Sequence, residues 1–417
     1  MTRASAAESA RGAAERRLRV GFARIGPHPI PNRLLADALA AALPNAQLSV
    51  LDLEPLVRQD RRAMVANAGF VAAEHGRNLA RHRVRRWQAF FSTTYLFRWM
   101  SRRAREWAER NAFDWTLQIQ SLFDARAPSV PHFVYTDHTH LANLGYPDFD
   151  RRTLRSPRWI RLERELYRNA HTVFTRSAHV SASLTDSYGC DPARVVCVGA
   201  GANARVPGAL EPATARSASG QEILFVGVDW QRKGGPELAS AFAQVRQRHP
   251  RATLTVVGCT PALDLPGCRV LGRCPVDEVH HHYERADVFC LPTRREPFGV
   301  AFVEALHHGL PVVGTRIGAV PDLVEHGHNG FLVEVGDAAG LAVQLDRLLG
   351  DAALRHRMGS ASRERARAHY TWPAVAGRIV ESVAHSVAAP PPGVTGSAER
   401  LATMTRFTTL PASATPH

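Results

Sequence analysis

RREPFGVAFVEALHHGLPVVG, residues 294–314, passes from a polar loop through Pro297 and Gly299 into a short helix and then into an apolar strand. Loop, helix, turn and buried strand in that order form one unit of a parallel α/β sheet. A helix that starts near Gly299 aims its free N–H groups and the positive end of its dipole beyond the preceding strand, a setting suited to a diphosphate. Glu304 falls in the early turns of this helix and Glu296 in the loop before it. A carboxylate only accepts hydrogen bonds, so Glu304 can take the two vicinal hydroxyls of a ribose and Glu296 those of a sugar. The two carboxylates, eight positions apart, therefore need not be an acid/base pair.

The same alternation extends to both sides. Strand-like runs at residues 18–25, 47–53, 115–119, 132–136, 171–175 and 195–198, with helices over 32–42 and 158–168, predict one Rossmann-like domain over 17–205. Residues 205–221, RVPGALEPATARSASGQ, break the pattern with Pro, Gly, Ser and Ala, which places a linker at 206–220. A second series follows at 223–228, 253–258, 288–292, 311–314 and 330–333, with a helix over 236–248, so residues 221–385 form a second doubly wound sheet. Residues 1–16 and 386–417 carry few large apolar side chains and are expected to be disordered. A chain of 417 residues exceeds one ordinary core, so two domains facing a cleft are the α/β architecture expected.

Composition narrows the class. With 45% hydrophobic and 22% charged residues the chain can bury a large core. The formal charge of +14 points to an anionic partner: nucleic acid, anionic lipid or a phosphorylated substrate. Six cysteines show no CxxC pair and no zinc-type spacing, which predicts reduced thiols and no metal. No secretory signal or long apolar run is visible, so a cytoplasmic location is expected.

Glu296 and Glu304 within EPFGVAFVEALHHGLPVVG resemble the E-x7-E signature of retaining GT-B glycosyltransferases of family 4. FVGVDWQRKGG (225–235) is similar to that family's phosphate loop, and GAVPDLVEHGHNGFLV (318–333) to its following helix and strand. The resemblance spans residues 171–380 or so. It implies the GT-B fold, a nucleotide-diphosphate sugar as donor substrate, no permanently bound cofactor, no metal, and transfer to an acceptor with retention of configuration. It also implies that Glu296 meets the donor sugar, Glu304 the ribose, and backbone at Phe298, Gly299 and Val300 the sugar or phosphate.

Lys233 stands before Gly234, Gly235 and Pro236 in a strand-to-helix turn whose glycines let backbone approach a phosphate. It resembles the family's phosphate lysine, and it is the only lysine among 52 basic residues. Many relatives carry arginine directly after the glycine equivalent to Gly227. Here Val228 stands there, and Arg232 is the substitute candidate. At the end of PHFVYTDHTH (131–140), the resemblance implies a histidine facing the donor sugar: His138, with Asp137 in reserve. The loop GPHPIP (26–31) is a candidate for the acceptor side.

Residues 77–110 hold ten arginines and two glutamates, with Trp87, Phe91, Tyr95 and Trp99 recurring at every fourth position. Such a segment is either an interfacial helix that reaches a lipid-linked acceptor or surface glycan from the inner face of the membrane, or simply a core-facing stripe. Three rival functions remain at this point. A sugar-nucleotide 2-epimerase uses the same cleft without an acceptor; a nucleic-acid-binding protein would explain the charge; a non-catalytic subunit would bind the sugar nucleotide without turnover. EPFGVAFVEA disfavours the first, the lack of a recognisable module the second, and the joint presence of Glu296, Glu304 and Lys233 the third.

Overall fold

The computed structural model describes residues 17–26, 31–204, 206 and 220–388. The first sheet contains β1 (Arg19–Arg24), β2 (Gln47–Asp52), β3 (Trp115–Ile119), β4 (His132–Thr136), β5 (Thr172–Thr175) and β6 (Val195–Cys197). Its order is β2-β1-β3-β4-β5-β6 and every pairing is parallel. The second sheet contains β7 (Glu222–Val226), β8 (Thr253–Val257), β9 (Cys268–Gly272), β10 (Val288–Leu291), β11 (Val312–Thr315) and β12 (Gly330–Val333), in the order β12-β11-β10-β7-β8-β9, again all parallel. The expected α/β architecture of two doubly wound sheets is the one observed.

Helices on both faces explain the composition of the strands. WTLQI in β3 and HFVYT in β4 are buried at every position, as parallel strands covered on two sides must be. The edge strands β2, β6 and β9 are less covered, and β9 is not among the strands expected from the sequence. As an edge strand it alternates half-buried with exposed residues, and its CRVLG lacks a continuous apolar run.

The last helix, Trp372–Ala388, departs from the boundary read in the sequence. Residues up to 385 were assigned to the second domain, yet Val375, Ala376, Ile379 and Val383 pack in the first domain's core with Leu35 and Leu39 of the helix Pro31–Ala42. Trp372 Nε1 donates to the carbonyl of Ala202 at 2.8 Å, and Arg378 donates to that of Val198 at 2.6 Å, so the crossing is tied to the chain after β6. The expected disordered stretches 1–16 and 389–417 lie outside the described residues; 386–388 belong to this helix.

The basic segment is not one continuous helix. Arg61–Ala80, Arg86–Phe91 and Thr94–Asn111 are separate, broken at His82, which takes φ 52°, and at Thr93, whose hydroxyl caps the third by accepting from Leu96 N at 3.1 Å. The four-residue aromatic spacing therefore crosses a break. Trp99 is buried, Phe91 and Tyr95 pack against the same cluster, and Trp87 alone is 60% exposed. No described helix is long and apolar enough to cross a membrane.

Ile379→Ala removes a fully buried side chain at the point where the final helix clasps the first sheet. It is expected to cost about 2–5 kcal/mol of stability, measured by urea unfolding.

Candidate active site

The site begins with a backbone requirement. After β7 the chain turns through residues 227–235 so tightly that Lys233 N bonds Asp229 O at 2.9 Å and Gly235 N bonds Trp230 O at 2.8 Å. Gly234 takes φ 74°, and a Cβ there would stand 1.8 Å from the carbonyl oxygen of Pro292; a Cβ on Gly235 would meet the Trp230 ring at 2.0 Å. Only glycines let this turn lie against the end of β10.

That closeness brings Lys233 to Glu296. Its ammonium donates to Glu296 Oε2, and both side chains are buried. Burial lowers the lysine's pKa, and the neighbouring carboxylate partly restores it. The peptide oxygen of Glu296 accepts from Ala319 N at 3.0 Å, which fixes the loop. Gly299 then takes φ 95° at the head of the helix Val300–His307, so the helix starts where the sequence placed it. Phe298 is buried and Val300 half-buried beside this turn.

Glu304 has a different setting from the one expected. Its Oε1 accepts from Asn203 N at 3.3 Å and Ala204 N at 3.0 Å, and its Oε2 accepts from Tyr283 OH at 3.0 Å. This carboxylate anchors the start of the interdomain linker to the second sheet. Burial raises its pKa, opposed by the backbone and tyrosine hydrogen bonds. Two lone-pair sites on Oε1 are occupied, leaving room for about one further donor, on Oε2.

Val228, where an arginine was lacking, is 66% exposed. Arg232 lies 3.6 Å from Asp229 and donates to the carbonyl of Arg295 at 3.0 Å. Gly227 packs against the Lys233 stem. A cleft of about 530 Å³ opens here, lined from the second domain by Arg232, Arg294 and Arg295 and from the first by Tyr146 and Asp148. Arg294 spans it, bonded to Asp148 on one side and Glu237 on the other.

The first domain presents His138, at the end of β4. Its carbonyl accepts from Thr136 Oγ1 at 2.8 Å, while both ring nitrogens are buried without a hydrogen bond. Desolvation lowers its pKa; the nearby Asn143 amide favours the charged form without reaching hydrogen-bond geometry. Tyr146, which sequence reasoning missed, stacks on His138 at 6.0 Å and meets His179 at a tilt at 5.4 Å. Its hydroxyl is buried, unbonded and close to Gly318; burial, and after it the charge of Glu296, raises its pKa. Arg176, also missed, lies over the Tyr135 ring at 4.9 Å and 3.9 Å from Asp137, whose side chain is largely open. None of these residues belongs to a local motif; folding alone brings them together. Of the loop 26–31, Gly26 N bonds Asp52 Oδ1 at 2.8 Å, and 27–30 lie outside the described residues.

Chemically, the cleft sets a buried ammonium, a carboxylate and a helix N-terminus against unpartnered imidazole and phenol groups from the other domain. Such a site can hold an anion on one wall and hydroxyl groups on the other.

Glu163, on the helix Pro157–Asn169, supports the His138 loop from behind. It accepts from His140 N at 3.2 Å, from Ser121 Oγ at 3.2 Å and from Tyr188 OH. Burial pushes its pKa up to about 7, against the pull of Tyr188 and Arg155. An acid whose folded pKa is raised binds its proton more tightly in the folded state. Stability should therefore fall as pH rises from about 4.5 to about 7 and level off above that. Unfolding midpoints in urea across this range should show that slope in the wild type, and Glu163→Gln should flatten it.

The chain matches two family models: "Glycosyl transferases group 1" over residues 220–351 and "Glycosyltransferase Family 4" over residues 55–205. It is 30% identical over 300 residues to a D-inositol 3-phosphate glycosyltransferase of Frankia alni, covering 66% of this chain and 73% of the relative. It is 30% identical over 228 residues to a glycogen synthase of Mycobacterium tuberculosis, covering 52% of this chain. The match spans about half, 54%, of that relative's length. Among solved structures it resembles Anabaena HepE, determined in complex with UDP-glucose, at a TM-score of 0.58 and 16% identity, covering 88% of this chain and all of the other. The last likeness is one of fold.

Proposed function

This chain belongs to glycosyltransferase family 4, the group 1 glycosyl transferases, and on that premise we propose that it moves a glycosyl group from a nucleotide-diphosphate sugar to an acceptor held by the first domain, with retention of configuration. The observation that carries this reading is the buried contact between Lys233 and Glu296, where the glycine turn and the helix N-terminus meet in the interdomain cleft. An arriving diphosphate exchanges one anion for another at the ammonium, freeing Glu296 to accept from sugar hydroxyls. The helix N-terminus and Arg232 stabilise the leaving group as charge develops on it. His138, with Asp137 beside it, faces the sugar from the other wall. Glu304, through its remaining acceptor site, takes a ribose hydroxyl.

UDP-glucose is the first donor to test, alongside GDP- and ADP-sugars, by thermal shift. One nucleotide class should raise the melting temperature by mass action. No shift with any of them would contradict the reading, and product that forms without an added acceptor would favour an epimerase. The compact ammonium matters beyond its charge, because a planar guanidinium is bulkier within the glycine turn. Lys233→Arg should lose transfer about a hundredfold at saturating donor, nearly as much as Lys233→Ala. Near-normal turnover in Lys233→Arg would show that charge alone suffices.

Exposed Trp87 and the exposed Arg81, Arg85 and Arg86 support a peripheral contact with the inner membrane face, where a lipid-linked or surface-glycan acceptor would be met. Replacing the three arginines by glutamine should reduce co-sedimentation with anionic vesicles and spare activity on a soluble acceptor. Wild type that ignores such vesicles would remove this part of the reading.

A further inference from the structure

The short helix Val279–Arg285, VHHHYER, lies on the second domain between β9 and β10. Its His280 and Glu284 are four residues apart and His281 and Glu284 three apart, so Glu284 lies one turn from both histidines. One ligating atom from each of these side chains lies within 4.8 Å of the other two. The imidazoles of His280 and His281 approach to 3.8 Å between centroids, and His281 Nδ1 stands 3.3 Å from Glu284 Oε2. His280 is more than nine-tenths buried, and its Nδ1 has no hydrogen-bond partner.

A second, independent observation comes from His308, just beyond the helix Val300–His307. Its ring stacks at 5.2 Å on Tyr283 of the helix that carries the group. Its Nδ1 meets the carbonyl oxygen of Glu304 at 2.8 Å. A carbonyl can only accept, so Nδ1 carries the proton and Nε2 presents a lone pair. That Nε2 is buried and unbonded. Imidazoles that bind metals are commonly arranged in this way, with one nitrogen donating to a carbonyl and the other free to ligate.

We propose that His280, His281 and Glu284, with His308 alongside, form a binding site for a divalent transition-metal ion of the zinc type. Two imidazoles with one carboxylate suit Zn²⁺, Co²⁺ or Ni²⁺, whereas Mg²⁺ and Ca²⁺ call for oxygen ligands. The ion stands outside the interdomain cleft and takes no part in the transfer chemistry. Its role is to clip the helix Val279–Arg285 in place. Tyr283 of that helix stacks on His308 at 5.2 Å and holds Glu304 through its hydroxyl, so the clip steadies the anchor of the linker.

The test uses the full chain without an affinity tag, stripped by chelator and titrated with Co²⁺ while visible d–d absorption is followed, then with Zn²⁺ as competitor. One equivalent should bind with the intense bands of a four- or five-coordinate ion, and Zn²⁺ should displace it and raise the melting temperature. His281→Ala and Glu284→Gln alter accessible side chains, so both variants should stay folded, and each should weaken binding at least about tenfold. His356→Ala, at an exposed histidine elsewhere, should leave binding unchanged. Absence of such bands, or bands that survive either His281→Ala or Glu284→Gln at wild-type affinity, would overturn the proposal.

Discussion

The contact between Lys233 and Glu296 is the interaction on which the site depends. Taking an ammonium and a carboxylate out of water costs several kcal/mol each, and only good geometry between them offsets this. The geometry comes from the backbone. Gly234 and Gly235 let the turn after β7 touch Pro292 and Trp230, and Gly299 lets the next helix begin directly behind Glu296. Each partner is buried because the other is present. A diphosphate that brings its own charge can therefore replace the carboxylate at the ammonium without leaving the lysine uncompensated.

The two sheets make the cleft in which this exchange can take place. Arg294 joins Asp148 of the first domain to Glu237 of the second, Ala178 N bonds Asp322 Oδ2 at 2.6 Å, and the final helix returns to the first domain's core. Glu304 belongs to this framework as much as to the site, since it holds the amides of Asn203 and Ala204 at the start of the linker. One carboxylate thus ties the helix Val300–His307 of the second domain to the start of the linker between the domains. Behind the opposite wall, Glu163 does comparable work by fixing the backbone that carries His138.

Much of this was legible in the sequence because it is local. The runs at 115–119, 132–136 and 330–333 are strands with those bounds, and Lys233, Glu296 and Gly299 announce themselves by their spacing to glycine and proline. What escaped is what only folding assembles. Tyr146 lies far along the chain from Arg176 and His179, shares no motif with them, and meets His179 only in the folded first domain. β9 escaped because an edge strand need not be apolar. The C-terminal helix has an ordinary amphipathic pattern that does not say which sheet it covers. The four-residue aromatic spacing crosses Ser92 and Thr93, where one helix stops and another is capped, so it does not trace the face of a single helix. The histidine group on Val279–Arg285 has no cysteine partner and so carries no zinc-type spacing in the sequence.

Lys233 is proposed to exchange Glu296 for the donor's diphosphate. A crystal structure with a bound nucleoside diphosphate sugar tests it most directly. A phosphate oxygen should lie within hydrogen-bond distance of Lys233 Nζ, near the N-terminus of the helix Val300–His307, with Glu296 turned to the sugar hydroxyls. A nucleotide bound elsewhere, with the contact between Lys233 and Glu296 intact, would contradict it.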